Sequence, residues 1–357
     1  MAPAMEDSST PPRPPQPAPA RAVRVAGLGR YLPGTIVTNV ELEQRFDLPG
    51  GWIADKTGVL ERRRADVAGG ETASFMGAAA LSEALEQTNG DPLDLDLIIN
   101  ASGTPEQAIP DGGPLIQRAL GLHRSGIPCF TVHATCLSFI AALDVAASMI
   151  VAGTHRRIAI VSTEIASRGV SGVDPKSESL WGDAAAAAIV ERAEPESASS
   201  LERVLFRTWS EGADLTSISG GGTRLHPSRA DAVPEDLHFQ MNGQAVLQMC
   251  LRRAGRFFAD LHPSLRTSGM DCTDPSETIH VAITHQPSKA GLEGMERFGI
   301  LPDRTVVTLD RLGNCVAASL PCTLYEAVQT GRLKRGQRAL LFGTGAGLSM
   351  AGALLTF

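Results

Sequence analysis

CFTVHATCLSFIAALDVAASMIVAG, residues 129–153, changes character halfway along. Its first seven residues are β-branched, aromatic or small and read as a strand. From Leu137 the chain turns to small and apolar residues interrupted by Asp144, the pattern of a buried helix ending on Gly153. The apolar run RRIAIVSTE (156–164) follows as a second strand. Strand, tight turn, helix of small residues, glycine, basic residues and strand make an α/β unit of the kind found in layered folds. The same order returns at 305–342 as TVVTLDRLGN, CVAASLPCTLYEAVQTG and RALLF. Cys136 precedes Gly153 by 17 residues and Asn314 precedes Gly331 by 17, so Cys136 and Asn314 are expected at equivalent turns of a duplicated unit.

Outward from these units, RVAGLGRYLPG at 24–34 reads as a strand running into a Gly/Pro turn. Residues 71–87 carry apolar positions at helical spacing, and LDLDLIINASGT (93–104) reads as a strand and polar loop. AAAAAIVER is a further buried run. Residues 192–235, rich in Glu, Ser, Gly and Pro, are expected to connect the two halves. In the second half MNGQAVLQMCLRRAGRFFADL (241–261) is an amphipathic helix and IHVAITHQ (279–286) a strand with a polar tip. Residues 1–21, rich in proline, are expected to be a disordered tail without the apolar stretch of a signal peptide. The expected division is therefore the tail 1–21, an N-terminal half 22–195 and a C-terminal half 196–357.

Composition narrows the function. A chain of 357 residues with net charge −7 and 4% aromatic residues lacks the basic faces and stacking rings of a nucleic-acid binder. No apolar run reaches the roughly 18–20 residues of a membrane span. Six cysteines without a CxxC or Cys/His cluster suggest neither zinc nor a disulfide framework, and reduced thiols in the cytoplasm fit better.

Three residues are placed for chemistry. Cys136 stands where a strand gives way to a helix, and a helix N-terminus favours thiolate over thiol, although free cysteines are usually structural. His285 ends a strand, where α/β proteins gather ligands, or it is a loop histidine bonding backbone. Asn314 follows Gly313 before a helix and could serve as an N-cap. GTGAG at 343–347 is not expected to be a dinucleotide loop, because ten residues follow it and none is an acidic ribose partner. Its N–H groups suit an oxyanion hole instead. The order Cys, His, Asn also occurs in papain-like proteases, whose cysteine sits in a Gly/Ser/Cys/Trp setting unlike HATCLSF.

The motifs GRYLPGTIVTN, GWIADKTGVLERR, HATCLSFIAAL, LWGDAAAAAIV, MNGQAVLQM, THQPSK, RLGNCVAASLP and GTGAGLSMAGALL occur in this order over residues 22–357. Together they resemble the β-ketoacyl-ACP synthase III type of condensing enzyme, in the thiolase superfamily. The resemblance implies a thiolase fold, two duplicated α/β halves in an αβαβα arrangement, and an acyltransferase that is typically a homodimer. It implies Cys136 as acylated nucleophile, His285 and Asn314 as partners, and N–H groups of Cys136 and Gly347 as oxyanion hole. Trp52 and Lys56 fall where the family holds the adenine end of coenzyme A, Ile109 where a partner subunit's aromatic walls the acyl pocket, and Ser288 beside the phosphopantetheine arm. No cofactor is implied beyond phosphopantetheine-bearing substrates on acyl carrier protein or coenzyme A. Ser288, Ala290, Lys56 and Ile109 depart from the family's usual residues, and Lys cannot stack as a planar Arg does. These departures suggest a polyketide-type ketosynthase with a wider acyl site, including one that joins two long β-ketoacyl chains. The alternatives are priming of fatty-acid synthesis from an acyl-CoA and malonyl-ACP, and acyl transfer to oxygen or nitrogen.

Overall fold

The computed structural model describes residues 19–357 apart from 268, 272–273 and 275–277. Most of the proline-rich tail and Cys272 therefore lie outside the described residues. Arg21 is already part of the fold: its backbone pairs with Leu201 and its guanidinium meets Asp144 at 2.6 Å.

Two five-stranded sheets carry the architecture. The first contains β1 (Val23–Tyr31), β2 (Leu97–Asn100), β3 (Cys129–Thr131), β4 (Arg157–Ile165) and β5 (Asp183–Arg192), in the order β1-β5-β4-β2-β3. The second contains β6 (Ser200–Thr208), β7 (Val281–Thr284), β8 (Thr305–Val306), β9 (Arg338–Gly345) and β10 (Ser349–Thr356), in the order β6-β10-β9-β7-β8. Each strand of the second sheet takes the place of the strand five earlier, and the pairings match. The three strands after the first two pair in parallel, and the outer two antiparallel. The strand β6 lies inside the stretch expected to be a connection. A register shift at Glu202 lets SLERVLFRT bury Leu201 in the core between the sheets and Leu205 in the core on the opposite face, and the Glu202, Arg203 and Arg207 interspersed among them make its composition read as polar.

Both sheets are covered on both faces, which is why their strands are continuous apolar runs such as Ala184–Val190. Between the sheets lie the helices α2 (Ser138–Val151) and α4 (Ser319–Gln329). Their Phe139, Leu143, Ala147, Leu320 and Leu324 share one core with Leu97, Ile160, Ile283 and Leu341 from the two sheets. Alanine and serine faces let the helices sit close to both sheets, and Gly153 in the left-handed region ends α2. Outside, α1 (Ala73–Glu86) covers the first sheet and α3 (Gly243–Leu261) the second. The layers run α, β, α, β, α. Among the described residues no helix is long and apolar enough to cross a membrane.

Candidate active site

Where β3 ends, the chain turns sharply at Thr135, which holds a left-handed φ of 51°, and then enters α2. Cys136 lies on this turn, two residues before the first helical residue. From the second sheet, His285 leaves the end of β7 with its N–H donated to Phe342 at 2.8 Å. Asn314 lies in the turn between Gly313 and α4. All three line one cavity of about 470 Å³, together with Gly103, Thr104, His133, Trp181 and Ser288. Three side chains separated by up to 178 positions of sequence thus face the same space (314 minus 136).

Strand β9 crosses directly over the nucleophile turn. A Cβ on Gly345 would lie 2.6 Å from Thr135 Oγ1, and one on Gly343 would lie 2.9 Å from Leu137 Cδ2, so only glycine permits this approach. Gly345, Ala346 and Leu348 form the wall beyond it. Gly347, the expected oxyanion donor, is not on that wall. It makes the turn itself, at φ +136°, and the residue before it, Ala346, is the one that lines the cavity.

The electrostatics differ from the helix-terminus expectation. Burial pushes the Cys136 thiol up to about 12, and the nearby Glu164 carboxylate adds to the rise. The Cys136 backbone N–H opposes this rise by a smaller amount, and the N–H groups of Leu137 and Ser138 are already given to the carbonyls of Ala134 and Thr135. Burial holds His285 down to about 4, against a smaller opposing effect of the Val316 backbone. At neutral pH the pair therefore rests as thiol and neutral imidazole, not as an ion pair. His285 Nδ1 is buried without a partner within the protein. The Asn314 Oδ1 accepts the Val316 N–H at 2.9 Å, which turns the amide nitrogen toward the cavity as the donating end.

Several residues that the sequence reading did not single out hold these groups. Gln286 is wholly buried; its Nε2 donates to Thr284 O and Val306 O, and its Oε1 accepts from Thr308 N and Leu309 N. It thereby joins the His285 strand to the segment leading to Asn314. Glu164 is buried at the end of β4 and accepts from Gly103 N, Thr104 N and Thr104 Oγ1. His133, inside the quoted HATC motif, lies on the cavity wall with Nε2 3.3 Å from Gly103 O.

Of the residues expected to bind substrate, Ser288 lines the cavity and caps the short helix Lys289–Glu293. Trp52, Lys56 and Ile109 lie away from its wall. Trp52 and Lys56 are on the short helix Trp52–Thr57, where Lys56 is exposed and pairs with Asp55 at 3.0 Å. Ile109 is 86% exposed. Cys129, Cys136, Cys250, Cys315 and Cys322 are free thiols. Among the described residues no group of three His, Cys, Asp or Glu is arranged to hold a metal ion.

A duplicated five-layer α/β fold with this cavity between its halves defines an acyl-transferring enzyme of the thiolase class, and comparison with known proteins narrows the class. Residues 130–207 match the family model 3-oxoacyl-[acyl-carrier-protein] synthase III, and residues 273–357 match its C-terminal counterpart. The chain is 34% identical to the β-ketoacyl-[acyl-carrier-protein] synthase III of Methylococcus capsulatus, over 95% of this chain and 100% of that one. The crystal structure of 3-oxoacyl-[acyl-carrier-protein] synthase III from Aquifex aeolicus superposes with a TM-score of 0.80 at 29% identity, covering 94% of this chain and 100% of that one. The priming β-ketosynthase of the R1128 polyketide pathway superposes with a TM-score of 0.78 at 26% identity, covering 94% and 97%. The chain belongs to the 3-oxoacyl-[acyl-carrier-protein] synthase III family, and is an acyltransferase of the condensing type.

Proposed function

We propose that the protein condenses an acyl primer, carried on Cys136, with a carrier-borne β-carboxyacyl thioester such as malonyl-ACP. The observation that carries this reading is the common cavity of Cys136, His285 and Asn314. The Cys136 sulfur attacks the primer thioester as its proton leaves to the neutral His285 imidazole. The carbonyl oxygen becomes an oxyanion facing the N–H groups of Cys136 and Ala346. The carrier thiolate departs with that proton, leaving an acyl-cysteine. The second thioester then loses CO₂, and the electron pair of the broken C–C bond becomes an enolate. His285 and the Asn314 amide donate to its oxygen. The enolate carbon attacks the acyl-cysteine carbonyl, a C–C bond forms, and the Cys136 thiolate leaves. The product is a β-ketoacyl thioester.

The names of the curated relatives favour the priming form of this reaction over the joining of two long chains. A specific feature supports a primer longer than acetyl. The cavity that holds Cys136 also has an apolar wall of Leu251, Ala254, Phe258, Met295 and Phe298, suited to an acyl chain. Phosphopantetheine thioesters reach the cysteine past Ser288; Trp52, Lys56 and a homodimer partner's Ile109 are proposed to act at the entrance. We also place the two halves, 22–195 and 196–357, on either side of this cavity, and the reaction in the cytoplasm. An acyl-CoA series from acetyl to dodecanoyl, assayed with malonyl-ACP, tests the primer. A kcat/KM that peaks between hexanoyl and decanoyl is expected; strict preference for acetyl contradicts the role of that apolar wall.

A further inference from the structure

Asn314 is gripped through its peptide as well as through its side chain. Its N–H donates to Leu180 O at 2.8 Å, its C=O accepts the Gly182 N–H at 3.1 Å, and its backbone pairs with Trp181 as an isolated bridge. Residues 179–182 therefore form a strap along the Asn314 turn. The two segments have no slack between them: a Cβ on Gly182 would lie 1.8 Å from Leu312 O, and one on Gly313 would lie 2.7 Å from Leu180 O.

The other end of the strap is held by a buried cation. Arg62 is 0% exposed, and its Nη2 donates to Ser179 O at 2.7 Å. The same guanidinium donates to Asn39 Oδ1 at 2.8 Å and to Val37 O at 3.1 Å. These three hydrogen bonds run to neutral oxygens on two segments, residues 37–39 and Ser179. Charged groups around it are Glu61, Glu178 and Glu41 at longer range, with Arg64 opposing them. Burying a guanidinium without a carboxylate in hydrogen-bond contact costs stability that an apolar side chain would not. What the guanidinium supplies in return is geometry, since its planar fork fixes several acceptors in one plane, which an ammonium cannot.

We propose that Arg62 is a positioning residue for Asn314: through Ser179 O it fixes the strap 179–182, and the strap fixes where the Asn314 amide points in the cavity. The inference rests on the role given to Asn314 above. It assigns Arg62 to the condensation half of the reaction and leaves acylation of Cys136 untouched, because among the described residues no hydrogen bond runs from Arg62 or residues 179–182 to the turn that carries Cys136.

The test separates the two halves kinetically in native protein and in Arg62→Lys, Asn39→Ala and Asn314→Ala variants. Acylation is followed by intact mass after mixing with the best acyl-CoA of the series, and condensation by product formed on adding malonyl-ACP. Expected for Arg62→Lys is acylation within about twofold of native and condensation reduced about tenfold to a hundredfold, the size of effect that a misplacement near 1 Å produces. Asn39→Ala, which removes one anchor of the guanidinium, should show the same imbalance in smaller measure, and it decides the matter if Arg62→Lys does not fold. Equal loss in both steps, or no loss in condensation, overturns the inference. If Asn314→Ala condenses as well as native, or native forms no acyl-enzyme, the reading of the site falls and this inference falls with it. If Asn314→Ala alone loses condensation, only the role of Arg62 is wrong.

Discussion

The nucleophile turn and the amide turn are built on the same backbone. In the first half Ala134 N donates to Ser138 Oγ at 3.0 Å; in the second, Cys315 N donates to Ser319 Oγ at 3.0 Å. Thr135 has φ 51° and Val316 has φ 46°, both β-branched residues in the left-handed region where such side chains rarely sit. Each of these pairs is separated by 181 positions, so Thr135 corresponds to Val316 and Ser138 to Ser319. By this register Cys136 corresponds to Ala317, and Asn314 to His133. The expected equivalence of Cys136 with Asn314 is therefore displaced by three residues. The two halves use different positions of one turn: the first places its reactive atom just after the left-handed residue, the second two residues before it. Two loops of one build face one cavity, and in the function proposed above each loop carries a different half of the chemistry.

The largest effect expected from this comparison concerns the thiol. Cys136→Ala should abolish the acyl adduct seen by intact mass, and adding Ala317→Cys to that variant should not restore it. Ala317 is wholly buried and is not part of the cavity wall. An adduct on the double variant would show that the two turns are interchangeable. A smaller effect separates the two left-handed residues. Thr135 Oγ1 is buried without a partner, whereas Val316 packs its side chain over Gly103. Replacing Thr135 by Gly removes both backbone strain and an unsatisfied hydroxyl, which together outweigh the unfolded-chain entropy that an added glycine brings, and should raise stability by about 1 kcal/mol in urea denaturation. Val316→Gly relieves the same strain but loses apolar contact and gains unfolded-chain entropy, so its change should be near zero. A Thr135→Gly variant less stable than Val316→Gly would contradict the reading of that turn.

Much of this was legible in the sequence because it is local. The α2 segment shows its burial through unbroken small and apolar residues, and His285 shows its position through the apolar strand before it. The register of the repeat was not legible. Counting back from Gly153 and Gly331 pairs residues by helix length, and α2 with 14 residues is longer than α4 with 11. The serine hydroxyls that reveal the true register act through space. Strand β6 was hidden by the charged residues interspersed along it, and the place of Ala346 on the cavity wall by the preference for glycine in that turn. Arg62 sits in an ordinary-looking ERRR run whose three arginines the fold treats differently: Arg62 is wholly buried, whereas Arg63 and Arg64 are only partly so. Its partners are two backbone carbonyls and a side-chain amide, which leave no mark in composition or periodicity.

The division of labour between the halves can be measured in one mixing experiment. Asn314→Ala is loaded with acyl-CoA, chased with malonyl-ACP, and its mass followed in time beside the native enzyme. Loss of the acyl adduct within a turnover in native protein, and its persistence on Asn314→Ala with discharge slowed about a hundredfold or more, is the result predicted here. Discharge of both proteins at the same rate would contradict it.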